Sequence, residues 1–418
     1  MTRKVCVVGG NTTPFDYPLH LSIEGMASNC VLETMHDLPE FRLRDIDFMV
    51  YSHFSVHFGK QLAPEWIIHD HLGLVGVPHI RVENGGNTGG SALYAAFAIV
   101  KSGLADVVGV LGWETMDSVS QSQGSEFIGH AADTRYELLV GGIYPIFYAA
   151  CANLWMKEHG LTEEDLALCA VKNRNNAMDN PKAQWYRNEH RYITVDDVLE
   201  SRLISYPLKK YDCCLMSKGA AFLLVTSEEY AKKVAPGNYV TIDGAGLSSC
   251  TIRAGDRLAF PGWTEMYGQG YPDMKEFAAC RRSAEVAYKM ADIKNPFKEI
   301  HVAEIHDAFT SSEYQIYKAL GWCTKENIQE FVRNKTTYLD GDLPVNPGGG
   351  LMGYGHPVGA TGIMSAIECF YQLTGMIPKK HLSSKTEVPD AEVGLVNSHA
   401  GTGTSISNFI FRRCEGGA

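Results

Sequence analysis

The chain lacks any apolar run of the roughly 18 residues that a membrane-crossing helix needs, and the apolar stretch near its start, Val5-Cys6-Val7-Val8, is too short for a secretory signal. Both absences lead to the expectation of a cytosolic protein. Positive charge is also scarce: 37 Lys and Arg against 48 Asp and Glu leave a formal charge of -11. That balance argues against nucleic acid or an anionic membrane as the main partner, while leaving room for a local basic patch that meets a phosphate-bearing ligand. The eleven cysteines contain no C-x-x-C pair or other zinc-ligand spacing, so no metal is expected in this chain. In a reducing compartment most of them pack as small hydrophobes. Val7-Val8-Gly9-Gly10-Asn11-Thr12 lacks the third glycine of a dinucleotide fingerprint, and NAD binding is not read from it.

What is present is enough apolar sequence, 45% of 418 residues, to exceed one hydrophobic core, so two domains or a duplicated one are expected. Three pairs of segments recur in the same order. Asp45–Tyr51 and Glu299–Ile305 each read as a buried strand leading to a histidine-bearing end, Ser52-His53-Phe54 and His306-Asp307-Ala308-Phe309. Gly89-Gly90 and Gly359-Ala360-Thr361-Gly362 each open a helix, expected to end near Gly103 and Gly375. Ala105–Leu111 and Ala391–Val396 follow as strands. Strands separated by helices imply mostly parallel sheets covered by helices. The division expected is 1–118 with 219–239 for the first half, 240–418 for the second, and 119–218 as an insertion covering a ligand site. Within the insertion, Thr162-Glu163-Glu164-Asp165 reads as a capped helix start.

Three histidines stand at expected strand ends or strand-to-helix turns, where α/β proteins bind ligands. His306 lies in His306-Asp307-Ala308-Phe309, and His356 lies in Gly355-His356-Pro357-Val358-Gly359-Ala360-Thr361-Gly362 after Asn346-Pro347-Gly348-Gly349-Gly350. His399 lies in Asn397-Ser398-His399-Ala400-Gly401-Thr402-Gly403. By these motifs the chain resembles the thiolase superfamily over essentially its whole length, above all the sterol-carrier-type and archaeal thiolases. The resemblance implies an α/β duplicated fold: two mixed sheets with helices in α-β-α-β-α layers, plus a loop domain over the acyl-CoA site. It implies an acyltransferase that makes or breaks a carbon–carbon bond on a β-ketoacyl-CoA, with coenzyme A as a substrate. It also implies a homodimer and, as in benzoylsuccinyl-CoA-type relatives of aromatic β-oxidation, a zinc-ribbon/OB-fold partner subunit. By the same resemblance His356 is the base, His306 holds the thioester oxygen, and Gly359 and Gly401 bring backbone close to substrate.

The chain departs from the family at the nucleophile. Aligning Thr88-Gly89 and Ala92-Leu93 of Val82–Leu93 with the family's cysteine turn places Gly86 on the cysteine. Glycine carries nothing to acylate, so Gly86 is expected to offer only backbone to an oxyanion. Two further positions where relatives carry thiols read Ala308 and His399, which makes His399 a candidate for proton transfer. Asn87 and Thr88 are expected to cap the following helix. Arg202, Lys209 and Lys210 are candidates for a coenzyme A phosphate, and Ser249 for its tail. The aromatics of the insertion, Phe127, Tyr136, Tyr144 and Phe147, are expected to be mostly core. Thiolysis or Claisen condensation through a ternary complex is the leading expectation. Retro-aldol cleavage of a β-hydroxyacyl-CoA ranks second, because thiolase-like aldolases tend to carry tyrosines where this chain has His306 and His356. A non-catalytic acyl-CoA-binding scaffold is the reading from outside enzymology.

Overall fold

The computed structural model describes residues 3–257 and 276–414. The expected second half, 240–418, therefore includes residues 258–275 and 415–418, which lie outside the described residues. The strands are β1 (Val5–Thr12), β2 (Phe48–Ser52), β3 (His79–Val82), β4 (Val107–Thr115), β5 (Leu203–Ser205), β6 (Leu208–Lys209), β7 (Lys218–Ser227), β8 (Val240–Ser249), β9 (Val302–Glu304), β10 (Val393–Ala400) and β11 (Ser405–Arg413).

Nine of these form one mixed sheet in the order β3-β2-β4-β7-β1-β8-β11-β10-β9. Apart from β3, which has no counterpart, the order is repeated outward on each side of the contact of β1 with β8. On one side β1 pairs antiparallel with β7, β7 antiparallel with β4, and β4 parallel with β2. On the other, β8 pairs antiparallel with β11, β11 antiparallel with β10, and β10 parallel with β9. The seam itself is short, the pairs Cys6↔Thr241 and Val7↔Val240. The two mixed sheets expected from the sequence are thus two halves of one ladder joined at a narrow antiparallel seam.

Two helices lie between the halves, Thr88–Ser102 and Val358–Leu373, and each touches strands of both. All sixteen residues of Val358–Leu373 are buried, and polar ones among them meet protein partners: Glu368 pairs with His381 at 3.0 Å and the Gln372 amide donates to the Thr386 carbonyl at 2.8 Å. The pair meets backbone to backbone: a Cβ on Gly89 would stand 2.7 Å from the Gly362 nitrogen, and one on Gly362 would stand 2.4 Å from the Gly90 nitrogen. Thr88–Ser102 stops at Gly103, whose φ of 79° is the left-handed conformation that ends helices most readily in glycine. Helix Ile23–Asp37 covers β1 and β7 on the outside, and Ala278–Ala291 covers β8 and β11. These layers realise the expected α-β-α-β-α arrangement.

Residues 119–218, which we propose as an inserted unit, carry the helices Gln121–Gly129, Tyr144–His159 and Glu163–Asn176 and the β5-β6 hairpin. The capped start read from the sequence is present: the Thr162 hydroxyl accepts from the Asp165 N–H at 3.3 Å, and the Asp165 carboxylate accepts from the Thr162 N–H at 2.9 Å. Glu163–Asn176 is tied to the second half by a fully buried ion pair, Lys172 to Glu313 at 2.7 Å.

Candidate functional site

Each half delivers side chains to one cavity of ≈ 790 Å³ at the strand ends. His306 follows β9, His399 lies in β10, His356 precedes the Val358 helix, and Gly86 precedes the Thr88 helix. All four line the cavity, together with Gly401. The three imidazoles form one cluster: His306 is 5.1 Å from His356 and 4.3 Å from His399, ring centre to ring centre.

The neighbours of each ring decide where its proton sits. Thr361 donates its hydroxyl proton to the Pro357 carbonyl at 3.0 Å, so towards His356 Nδ1, 2.6 Å away, it can only accept. His356 therefore carries its hydrogen on Nδ1 and keeps a lone pair on Nε2. Tyr148 donates its hydroxyl proton to the Gly401 carbonyl at 2.7 Å and accepts from His399 Nε2 at 2.7 Å. His399 is left with its lone pair on Nδ1, a buried atom with no hydrogen-bond partner, and His306 Nδ1 is likewise buried and unpartnered.

Burial keeps the cluster uncharged. It pushes His356 down to about 3, and it does the same to His399 with help from nearby His356. His306 falls well below the usual imidazole range through burial first and its two histidine neighbours second. Two of the three neutral imidazoles, His356 and His399, thus have their tautomers set by hydroxyl partners and present a free lone pair to the cluster.

The site is braced from behind. Asp307 accepts from the Leu351 N–H at 2.6 Å, the Met352 N–H at 3.1 Å and the Asn173 amide at 2.7 Å, which ties the end of β9 to the Gly350 turn and to the insertion. The His356 N–H donates to the Ser217 hydroxyl at 2.8 Å. At the other end of the same turn, the Glu114 carboxyl accepts from the Phe54 N–H at 3.0 Å and the Gly359 N–H at 3.3 Å. His53 Nδ1 stands 3.3 Å from Glu114 in full burial. Their proximity is that of an ion pair, yet burial pushes Glu114 up to about 8 and His53 down to about 4, so the pair is a neutral carboxyl beside a neutral imidazole.

Gly86 has no room for a side chain. A Cβ built there would lie 2.5 Å from the His399 carbonyl oxygen and 3.3 Å from the Ala400 Cα. Backbone of β10 fills the place where a side chain at residue 86 would begin.

Other expected residues divide. Arg202 and Lys210 line the cavity, and Gly401 does so with a φ of 62°. Lys209 does not line it: the side chain is buried in an ion pair with Glu163. Ser249 is exposed at the end of β8, away from the cavity lining. Gly359 faces protein, with a Cβ there only 2.4 Å from the Trp113 carbonyl, because a turn glycine in sequence does not say which backbone comes close. Asn87 holds the cap position without capping; its amide donates to Ser405 at 3.2 Å and accepts from Ser407 at 2.8 Å. Of the aromatics, Tyr144 lines the cavity, Phe127 lines a neighbouring one, and Tyr136 is exposed. That neighbouring cavity, ≈ 540 Å³, shares Phe54, Ala131 and Gly401 with the first.

Sequence reasoning missed Tyr148, Glu114 and the His53 contact. Only Glu114 left a signal, an acidic residue inside an otherwise apolar strand. No group of metal-ligating side chains occurs among the described residues, and no helix there is long and apolar enough to cross a membrane.

Comparison with known proteins converges on one family. Residues 5–229 match the thiolase N-terminal domain and residues 263–413 the thiolase C-terminal domain-like model. An acetyl-CoA acetyltransferase of Methanothermobacter thermautotrophicus is 32% identical over 98% of this chain and 100% of its own length. The benzoylsuccinyl-CoA thiolase subunit BbsB of Thauera aromatica is 32% identical over 90% of this chain and 91% of its own. Among solved structures, an Ltp2-ChsH2(DUF35) aldolase superposes with a TM-score of 0.80 at 25% identity, covering 98% of each chain. Human mitochondrial 3-ketoacyl-CoA thiolase shares the fold with a TM-score of 0.69 at 13% identity, over 99% of this chain and 100% of its own.

Proposed function

This chain belongs to the thiolase superfamily as a sterol-carrier-type member, and from that premise we propose that it breaks a carbon–carbon bond beside a coenzyme A thioester with no covalent acyl-enzyme. The reaction is the retro-aldol cleavage of a β-hydroxyacyl-CoA to an aldehyde or ketone and a shortened acyl-CoA. The observation that carries this reading is the His399 carbonyl oxygen standing 2.5 Å from where a Cβ on residue 86 would be.

The lack of room for a side chain at residue 86 favours one of the two chemistries. A thiolase with a cysteine uses its coenzyme A site twice in succession, because the enzyme holds the acyl group in between. Without that intermediate, thiolysis needs the β-ketoacyl-CoA and a free coenzyme A bound together. Retro-aldol cleavage needs one coenzyme A moiety, for which the larger cavity with Arg202 and Lys210 provides, while the adjoining cavity offers space for the other fragment.

In the proposed step His356 Nε2 takes the proton of the β-hydroxyl. The electron pair of that O–H bond becomes the new carbonyl, the Cα–Cβ bond breaks, and its electrons pass into the enolate of the thioester. An N–H of His306, with backbone at Gly86 and Gly401, faces the enolate oxygen as its charge develops. The proton held on His356 returns to Cα, and the atoms balance without any other reactant.

Thiolysis or Claisen condensation stands as the second reading, supported by the 32% identity to an acetyl-CoA acetyltransferase. A scaffold that binds acyl-CoA without turnover leaves unexplained why two buried imidazole nitrogens stay unpartnered, at about 1–3 kcal/mol each. We place the protein in the cytosol as a homodimer joined by a partner subunit with a zinc-ribbon/OB fold, a reading supported by the two-component name of the aldolase and the subunit name of BbsB. An aromatic or branched acyl group is its proposed substrate class.

The test is incubation, with any co-purifying partner, against β-hydroxyacyl-CoAs and β-ketoacyl-CoAs in parallel. Release of a trappable aldehyde or ketone from the hydroxy series without added coenzyme A is the expected result, with no mass adduct on the intact protein. Turnover confined to the keto series and dependent on coenzyme A would replace this reading with thiolysis, and an acyl adduct would end both.

A further inference from the structure

The insertion contributes a polar atom to the histidine cluster that neither half of the sheet provides. Tyr148, on the helix Tyr144–His159, is 1% exposed and reaches the cavity with its hydroxyl. The ring stacks on Phe309 at 4.4 Å, which fixes its direction, and the oxygen lies 2.7 Å from both His399 Nε2 and the Gly401 carbonyl. A carbonyl cannot donate, so the single phenol hydrogen goes to Gly401 and the oxygen must accept from His399.

We infer that Tyr148 is a positioning residue that locks His399 in the Nε2–H tautomer and so makes His399 Nδ1 a second proton acceptor beside His356. The inference rests on the carbon–carbon-bond reading of the cavity for its catalytic meaning, though not for the tautomer itself. Three features argue for a functional lock rather than ordinary packing. His399 Nδ1 receives no hydrogen bond in compensation, although it is buried. The ring it belongs to lies 4.3 Å from His306, inside the cluster. The same phenol pins Gly401, a cavity-lining residue in the left-handed region with a φ of 62°. One hydroxyl thereby holds both a base and a stretch of substrate-facing backbone.

The proton accounting is simple. Only one proton moves in the cleavage, from the β-hydroxyl to Cα, and His399 Nδ1 is placed to carry it in place of His356. While it does so the Nε2–H stays bound to the Tyr148 oxygen, and when the proton passes to the enolate carbon the resting tautomer is restored. Tyr148 itself never ionises, since burial holds its phenol well above the usual range.

The first test needs no substrate. In the intact protein with ¹⁵N-labelled histidine, the resonance lost in His399→Gln identifies His399. A protonated Nε2 and a bare Nδ1 are expected; the reverse pattern would overturn the inference. Tyr148→Phe keeps the stacked ring and removes the oxygen, and in it the His399 signals should move to a mixture of tautomers. In turnover, Tyr148→Phe should lose about 10- to 100-fold in kcat with KM for the acyl-CoA within about twofold, the range for one positioned proton acceptor. A rise in KM with kcat unchanged would make Tyr148 a packing residue. If wild-type protein turns over no thioester at all, the cleavage reading fails, and the nitrogen spectrum still decides the lock.

Discussion

His356 and His399 each keep one lone pair because a hydroxyl partner has already committed its only hydrogen to a carbonyl. His356→Ala is therefore expected to remove turnover by about 10²- to 10⁴-fold, the usual worth of a general base, with a near-unchanged circular dichroism spectrum. Wild-type kcat/KM should show no acid limb near pH 6.5, since both rings stay neutral down to about 3. Stability should respond to pH with opposite signs on the two sides. His53, His356 and His399 have folded values of about 4, 3 and 3 against 6.5 for the free group, so stability they confer is complete above pH 6.5 and lost as pH falls. Glu114 and Asp307, raised to about 8 and about 7 from 4.5 and 3.8, act in reverse: their contribution is complete at low pH and is lost as pH rises towards the folded values. Between about pH 4.5 and 6.5 the three histidines outweigh the two acids by one proton, so melting temperature is expected to rise gently to a maximum near pH 6.5 and to fall above it, where only the acids still titrate. A continuous rise from pH 5 to 8 would contradict that balance. Gly86→Cys should fail to install an acyl-enzyme and should lower the melting temperature, because its Cβ would collide with backbone at 2.5 Å. Intact mass after incubation with an acyl-CoA reports the outcome directly.

Among elements, the turn from Gly355 to the Val358 helix is held at both ends, by Ser217 at His356 and by Glu114 at Gly359. Glu114→Gln keeps an oxygen for the Phe54 and Gly359 N–H groups, and its amide faces His53 Nδ1, which can take it by adopting the other tautomer. It should cost less than about 1 kcal/mol, whereas Glu114→Ala strands two buried donors and should cost about 2–4 kcal/mol in denaturant melts. Equal losses would show that the carboxyl oxygens are not what hold the turn. This is also the scale at which the sequence was most readable. Glycine-opened helices ending at Gly103 and near Gly375, the Thr162 cap and the buried strands announce themselves through local chemistry, and the three histidines stood out because glycine-rich turns bracket two of them. Tyr148 did not stand out, since it sits among Tyr144, Phe147 and Trp155 on one helix and nothing local says which ring faces the cavity. Ser249 and Lys209 lie outside the cavity lining for the complementary reason: position along a strand does not reveal whether a side chain ends in solvent, in an ion pair or in a cavity.

At the scale of the whole molecule, the cavity forms where both halves of the sheet and residues 119–218 meet. His306, His356 and His399 come from the second half, Gly86 from the first, and Tyr148 from residues 119–218. Deleting β11 from residue 405 onward should therefore abolish soluble, folded protein rather than leave a weakened enzyme, as size-exclusion chromatography and circular dichroism would reveal; a monodisperse product would refute this. The place of β11 has a further consequence for synthesis. It is the last described strand along the chain, yet it lies in the interior of the sheet between β8 and β10. While a ribosome is still making it, β8 and β10 have their hydrogen-bonding edges bare, and an open edge is where chains stick to one another. Until β11 slots in, those two edges invite association between chains, and only with its arrival is the strand carrying His399 locked beside its partner.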